Sequence, residues 1–193
     1  MVLRRHNNIM GAKILKVLLV VASLVFLFYI SLPNFNFPKP PPDSLQSREP
    51  ADLETPLRRG YFTNYTRAQV ITWYENQFDH SNFLSIKIPT LLLNYPPEDA
   101  QTIIRDQTSS TFLQELVHPF RESIYINGFE PPSYDNQPVF YVDGKTWRQK
   151  IIIKMMPTSI FIRIAVFVAE MVCVIILFRE FRETLTYLWH KRK

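Results

Sequence analysis

Two apolar blocks near the two ends of the chain dominate its hydrophobic pattern. Residues 17–32 read VLLVVASLVFLFYISL without a charged side chain, and residues 158–178 read TSIFIRIAVFVAEMVCVIILF with one arginine and one glutamate. About 20 apolar residues in a helix cross the ~30 Å hydrocarbon core of a bilayer. The pattern therefore predicts two transmembrane helices, at residues 13–32 and 157–178.

The first block shares a basic start and an apolar middle with cleaved signal peptides. Its apolar run is longer than the core of a signal peptide, and no A-x-A cleavage pattern follows it. Lys13 and Lys16 can extend their charged ends to the membrane surface while their stems stay in apolar surroundings. We therefore interpret this helix as a retained signal anchor.

The stretch after the first block is rich in proline. Residues 33–56 contain seven prolines and few large apolar side chains after Phe37. Proline holds φ near −65° and favours an extended, semi-rigid chain. The composition predicts a linker at residues 33–56 and a folded domain at residues 57–156.

The first half of this domain contains helical and strand patterns. Thr66 and Gln69 fit a capping box, and apolar residues follow at helical spacing. Residues 84–88 alternate apolar and polar side chains as in a half-buried strand, which would continue past Pro89 at a sheet edge or a bulge. The Pro-Pro-Glu-Asp run at residues 96–99 predicts the start of a second helix.

The second half predicts a short helix, a strand and a hairpin. Residues 111–117 fit a third helix ended by Pro119, and residues 122–126 have strand composition up to an Asn-Gly pair. Asp143-Gly144 separates two strand-like runs, and this dipeptide supplies the positive φ angles of a type I′ turn. The order of elements predicts a small α+β domain with a C-terminal β-hairpin, between two transmembrane helices.

The net charge of +5 comes from the two ends of the chain. Residues 1–16 carry four basic and no acidic side chains, whereas residues 33–157 carry 12 basic and 14 acidic ones. Basic flanks of membrane helices remain in the cytoplasm. We therefore expect cytoplasmic segments at residues 1–12 and 179–193 of a cell-membrane protein, with residues 33–156 extracytoplasmic. The charge balance of the central domain disfavours nucleic acid as a partner.

The motifs of common enzyme sites do not occur. The chain has four glycines, none at the spacing of a P-loop or a dinucleotide-binding loop. Glu115 and His118 form one E-x-x-H pair, whereas a di-iron site needs two such pairs and further carboxylates. A catalytic set of nucleophile, histidine and acid could be drawn from Ser109, Ser110, His80 and Asp79, but turn and loop roles explain these residues more simply. We predict no catalytic, cofactor-binding or metal site.

Cys173 and Asn64 add little to the prediction of function. Cys173 is the only cysteine and lies in the second apolar block, so the central domain has no disulfide framework. Asn64 begins an Asn-Tyr-Thr glycosylation sequence, which has meaning only in a eukaryotic source.

Two ionisable side chains interrupt the second apolar block. Arg163 lies close to its outer end, whereas Glu170 lies about 18 Å from that end at ~1.5 Å per residue. An acid near the midplane must be protonated, paired or turned away from lipid. The alternatives for Glu170 are a hydrogen bond to Ser23 of the first helix, a polar contact with another membrane subunit, or a proton or ion path.

Three stretches of the central domain carry a family resemblance. They are TPLRRGYFTNYTRAQVITWYENQF, LNYPPEDAQTIIRDQT and HPFRESIYINGFEP. These runs resemble a group of two-span membrane proteins from uncultured bacterial phyla. The resemblance implies a bacterial cell membrane, and it implies no site residue or mechanism because that group has no established activity.

Three hypotheses for function follow. The favoured one is a non-catalytic, membrane-anchored protein that presents a small extracytoplasmic binding or scaffolding domain. The second is an accessory subunit of a membrane transport, secretion or envelope-synthesis complex, assembled through the transmembrane helices and Glu170. The third is an enzyme that acts on a membrane-borne substrate. The expected partners are the lipid bilayer and either another membrane protein or a second copy of this chain.

Overall fold

The computed structural model describes residues 2–79, 87–88, 90–105, 110–130 and 140–191. The chain divides into two units. We call Met1–Leu32 together with Ser159–Lys193 the helix pair, and Pro33–Thr158 the sheet domain.

The helix pair consists of α1 (Val2–Ser31) and α4 (Ile160–Lys191). The segment Lys13–Ser31 and the whole of α4 are long and apolar enough to cross a membrane, by length and composition. The rings of Phe26 and Phe167 lie 5.9 Å apart where the two helices pack. At ~1.5 Å per residue α4 is about 48 Å long, which exceeds the ~30 Å of one span. The helix therefore continues well beyond the predicted end at residue 178.

The sheet domain has the predicted α+β composition. Its described strands are β1 (Leu45–Gln46), β2 (Arg58–Thr63), β3 (Leu91–Tyr95), β4 (Phe112–Val117), β5 (Ser123–Phe129), β6 (Phe140–Val142), β7 (Lys145–Trp147) and β8 (Gln149–Met156). Six of them form one sheet in the order β1-β2-β8-β5-β4-β3, and every neighbouring pair is antiparallel. The strands β6 and β7 form a separate two-stranded sheet.

Helix α2 (Arg67–Phe78) covers one face of the large sheet, the α2 face. The Thr66 hydroxyl accepts a hydrogen bond from the Gln69 N–H, and the Gln69 side chain accepts one from the Thr66 N–H. The predicted capping box is therefore confirmed. The core of this face consists of Tyr61, Val70, Ile71, Tyr74, Phe78, Phe112, Leu116, Ile124, Ile126, Ile151, Ile153 and Met155. Each such large side chain stabilises the fold by about 1.5–3 kcal/mol relative to an exposed position, so this layer is the main source of stability.

A smaller core lies on the opposite face, the α3 face. It contains Ala100, Ile104, Leu113 and Ile152. The second helix begins as predicted, with a 3-10 turn at Pro97–Asp99 followed by α3 (Ala100–Ile103). It ends after about one turn, and Arg105 then adopts a positive φ of 64°.

The prediction of a third helix at residues 111–117 is wrong, because Phe112–Val117 is the strand β4. This strand lies between β3 and β5, and five of its six residues are buried. A strand buried on both faces has no alternation of apolar and polar residues, so its sequence lacks the usual strand signature. The helical interpretation rested on the run at residues 111–117 and on Pro119 as its end.

The prediction that the next strand ends at Asn127-Gly128 is also wrong. Both residues continue β5, where Asn127 pairs with Leu113 and Gly128 with Phe112. Gly128 is required by packing and not by a turn, since a Cβ at this position would overlap the ring of Phe112. An Asn-Gly pair therefore marks a close cross-strand contact here.

The hairpin at Asp143-Gly144 is confirmed. Asp143 and Gly144 have φ angles of 50° and 75°, as a type I′ turn requires, and they join β6 to β7. The second arm is interrupted at Arg148, and the chain then enters the large sheet as β8.

The proline-rich segment belongs to the sheet domain and is not separate from it. The strand β1 pairs with β2, a 3-10 turn follows at Pro50–Leu53, and Phe35 and Phe37 pack against the α2-face core. Apart from these two elements, the segment has no helix or strand. The folded unit therefore begins at residue 33.

The strand predicted at residues 84–88 lies largely outside the described residues. Ile88 is described and buried. The continuation beyond Pro89 is confirmed: Leu91–Tyr95 is the outermost strand of the described sheet, next to β4.

Candidate functional site

The turn between β4 and β5 carries the most concentrated group of buried charges in the described chain. Pro119 lacks a backbone N–H and cannot extend β4, so the chain turns directly after His118. The turn is closed by hydrogen bonds from the His118 N–H to the Glu122 carbonyl, 3.0 Å, and from the Arg121 N–H to the His118 carbonyl, 3.0 Å. Phe120 takes a positive φ of 62° at its tip. We call the end of the sheet domain that contains this turn the turn end.

The carboxylate of Glu122 is the centre of the group. Its Oε1 accepts from His118 Nδ1 at 2.8 Å, from Arg121 Nη2 at 3.0 Å and from the Phe35 N–H at 3.3 Å. The side chains of Glu122, His118 and Arg121 are no more than 1% exposed. A buried carboxylate is stable in this position because the guanidinium, the imidazole and one backbone N–H replace the water it has lost.

Arg121 connects this centre to the first and last residues of the sheet domain. Its Nη2 donates to the Pro33 carbonyl at 2.8 Å, and its own carbonyl accepts from the Thr158 hydroxyl at 2.7 Å. The Asn34 side chain donates to the Thr158 carbonyl at 3.1 Å. Two segments that are more than 120 residues apart are thus held by one residue of the turn.

His118 has the surroundings of a structural residue. Its ring stacks on that of Phe78 with the centroids 3.9 Å apart and the planes 4° from parallel. A histidine beside a carboxylate can act as a general base when it reaches a substrate. This histidine is 1% exposed, so the pair instead fixes the ring against the α2-face core.

A shallow cavity of about 430 Å³ lies on the outside of the turn. Its lining residues are Val117, His118, Phe120, Arg121, Glu122, Ser123, Tyr125, Met156 and Thr158. The charged members of this set are the buried ones described above, so the surface that they leave exposed is mainly apolar.

Tyr125 links the cavity to a polar group on the α3 face. The Tyr95 hydroxyl donates to Glu115 Oε2 at 2.6 Å, and the Tyr95 and Tyr125 rings lie 6.0 Å apart. The hydrogen bond to Glu115 raises the pKa of Tyr95. Burial, together with the negative charge of Glu115, raises the pKa of Tyr125 well above its ordinary value. Both phenols stay protonated through the neutral range.

The opposite end of the sheet, the hairpin end, buries a second carboxylate. Lys150 Nζ lies 2.8 Å from Asp52 Oδ2 and 2.7 Å from Glu49 Oε2. Asp52 is packed against the backbone of β2, where a Cβ on Gly60 would come within 2.5 Å of its Oδ2. This ion pair fastens the 3-10 turn at Pro50–Leu53 to the sheet.

The structure puts Arg163 at the end of α1. Its side chain is buried, and Nη1 donates to the carbonyls of Ile30 at 3.2 Å and Leu32 at 3.1 Å. The last carbonyls of a helix lack partners within the helix. Arg163 supplies such donors, and it also pairs the two helices.

Glu170 is exposed on α4, and Ser23 is half-buried on α1. Each is seven residues from the contact between Arg163 and Ile30, or ~10.5 Å along its helix, so they lie at comparable depth. Among the described residues Glu170 has no hydrogen bond or ion pair, with Ser23 or with any other. The polar contact of Glu170 remains a prediction.

The other residues singled out by sequence do not come together. Glu115 lies on the α3 face of β4, whereas His118 follows the end of β4 and stacks on Phe78 at the α2 face. Asn64 is exposed, and its Oδ1 accepts from the Arg148 N–H at 2.9 Å. His80 and Ser109 lie outside the described residues. Within the described ranges, no cluster of three or more histidine, cysteine or acidic residues is placed to hold a metal ion.

Comparison with protein-family models, with curated proteins and with solved structures finds no match.

Sequence reasoning missed Arg121 and Glu122 as a site. The local signal was present, because the run His-Pro-Phe-Arg-Glu places three ionisable residues in one turn between two apolar runs. It could not show that Pro33, Phe35 and Thr158 complete the group, since these contacts join residues far apart in the chain.

Proposed function

We propose that this protein is a two-helix membrane protein whose sheet domain is a non-catalytic binding or positioning module on the extracytoplasmic side. Two long apolar helices and their basic flanks support the anchoring and the orientation. The observation that carries the proposal is the buried group of His118, Arg121 and Glu122, which we call the turn cluster. Its Arg121 and Glu122 bond to residues at both ends of the sheet domain.

The turn cluster favours positioning because it fixes the points at which the chain enters and leaves the domain. Pro33 follows the last residue of α1 by two positions, and Thr158 precedes the first residue of α4 by two positions. Along the chain, the domain is therefore joined to each apolar helix by a connection of only a few residues. Such connections suit a module that holds a bound partner near a membrane.

The orientation is tested with single cysteines in intact cells. In a Cys173→Ala background, Tyr141→Cys lies in the exposed hairpin and Thr186→Cys lies in the exposed C-terminal part of α4. A membrane-impermeant maleimide should label position 141 and should label position 186 only after the cells are opened. Labelling of position 186 in intact cells, or of neither position until lysis, would overturn the proposed orientation.

Glu170 supports a second candidate function, an accessory subunit assembled through the membrane helices. It is an exposed acid in a helix whose neighbouring side chains are apolar. An ionisable group at that depth is costly in lipid, and a polar contact from another subunit would remove the cost.

The accessory function is tested by the mass of the native particle after gentle detergent extraction, with identification of every component. Glu170→Leu should release a stoichiometric membrane partner, because the polar contact is lost. Glu180→Leu, an exposed acid further along the same helix, is the matched control and should keep the partner. A particle that contains this chain alone, or a mass unchanged by Glu170→Leu, would contradict this function and leave the sheet domain as the module to search.

A further inference from the structure

We propose that the turn end of the sheet domain contacts the lipid surface directly through an apolar patch; this inference rests on the proposed anchoring in a membrane. We call the patch the turn-end patch. It consists of Leu91, Leu93, Val117, Phe120 and Met156.

The register of the sheet brings the patch together. Leu91 pairs with Val117, Val117 with Ser123, and Ser123 with Met156, so these residues form one row across four strands. Leu93 lies two residues along β3 from Leu91 and therefore on the same face. This is the α3 face, whose core covers the middle of the sheet and not its turn end.

The patch is apolar, and its largest side chains are exposed. Leu91, Phe120 and Met156 are 51%, 72% and 45% exposed. The cavity beside them has mainly apolar exposed surface, and its charged residues are buried. A neutral apolar surface of this kind is suited to the boundary between headgroups and acyl chains, where aromatic side chains are enriched.

Phe120 is presented outwards by the backbone itself. A positive φ is uncommon for any residue except glycine and costs free energy, and such residues concentrate where a side chain has a function. Here the turn is held by the two backbone hydrogen bonds of His118 and by the buried Glu122 carboxylate beneath it. The strained residue therefore carries the most exposed side chain of the patch.

The continuity of the chain specifies lipid as the occupant. Arg121, next to Phe120, bonds to Pro33 and accepts from Thr158, which are two positions from the ends of α1 and α4. Met156 of the patch precedes α4 by four positions. Along the chain, only a few residues therefore separate these positions from each of the two apolar helices.

The test uses spin labels and two relaxing agents, oxygen, which concentrates in lipid, and a water-soluble nickel complex. Full-length protein in phospholipid nanodiscs is labelled at Phe120→Cys or at Leu91→Cys, each in a Cys173→Ala background. Tyr141→Cys is the matched control, because Tyr141 is a comparably exposed aromatic residue, at 75%, at the hairpin end. The native Cys173 of the unmodified chain reports on the membrane helix itself.

The labels at positions 120 and 91 should be relaxed more by oxygen than by nickel, and the label at position 141 more by nickel. The inference fails if positions 120 and 91 behave like position 141 while the label on Cys173 is relaxed by oxygen; in that case the anchoring stands. It fails also if neither agent reaches positions 120 and 91, which would indicate a protein contact, or if oxygen dominates at position 141 as well. A nickel-exposed label on Cys173 overturns the proposed anchoring and this inference with it.

Discussion

Both ends of the sheet domain bury a carboxylate and expose an aromatic side chain. At the turn end these are Glu122 and Phe120, and at the hairpin end they are Asp52 and Tyr141. The Glu122 carboxylate accepts hydrogen bonds from the side chains of His118 and Arg121 and from a backbone N–H. Asp52, in contrast, has Lys150 as its partner and shares it with Glu49. The stronger cluster thus lies where the chain enters and leaves the domain.

The surroundings of the two exposed aromatic residues differ as well. Phe120 adjoins apolar residues and buried charges. Tyr141 adjoins Asp143 and Lys145, which are both exposed. The comparison teaches that a similar exposed ring can belong to an apolar surface or to a solvated hairpin, and that the neighbouring charges distinguish the two.

The largest difference between the ends should appear in stability. Glu122→Gln removes the charge that compensates Arg121 in a buried site, and we expect a loss of about 3 kcal/mol in the free energy of unfolding. Asp52→Asn should cost less, about 1–2 kcal/mol, because Lys150 keeps Glu49 as a partner. Unfolding of the full chain in detergent, followed by near-ultraviolet circular dichroism, measures both. An Asp52→Asn cost equal to or above that of Glu122→Gln would contradict the comparison.

A smaller difference is expected at alkaline pH. Burial and the negative charge of Glu115 both raise the pKa of Tyr125, which lies in the turn half of the sheet. Burial also raises the pKa of Tyr61, but the positive charge of Arg59 lowers it and offsets part of this effect. Below the unfolded-state pKa of about 10, a tyrosine is protonated in both states and its contribution to stability is fully present. Above pH 10 the unfolded chain loses this proton before the folded chain does, so the free energy of unfolding falls. One such group contributes a slope of at most about 1.4 kcal/mol per pH unit.

Tyr125→Phe should therefore weaken the decline of stability between pH 10 and 11 more than Tyr61→Phe does. Chemical unfolding of the full chain at several pH values gives these slopes directly. Equal slopes in both variants and the parent chain would show that neither phenol controls alkaline unfolding.

The smallest effect is expected at the two exposed rings. Phe120→Gly relieves a positive φ and should raise the free energy of unfolding by about 0.5–1 kcal/mol, since glycine adopts this conformation without strain. Tyr141→Gly lies in a strand and should lower it by a similar amount. Thermal unfolding of both variants distinguishes them. A destabilised Phe120→Gly would mean that packing of the ring outweighs the strain of its backbone.

The sequence by itself determined the elements whose signals are local. The two apolar helices, the Thr66–Gln69 capping box and the Asp143-Gly144 turn each depend on residues within a few positions of one another, and each is found in the structure. Local propensity decides such elements because the hydrogen bonds that form them are made within the same segment.

The identity of β4 as a strand and the assembly of the buried site were decided only by the tertiary structure. Phe112–Val117 is a strand because β3 and β5 supply its hydrogen bonds and bury both of its faces, which its own composition does not indicate. Arg121 and Glu122 form a site because Pro33 and Phe35, more than 80 residues earlier, come to lie beside them. These outcomes depend on contacts between distant segments, whose free energy comes from burial and pairing that no single stretch of the chain contains.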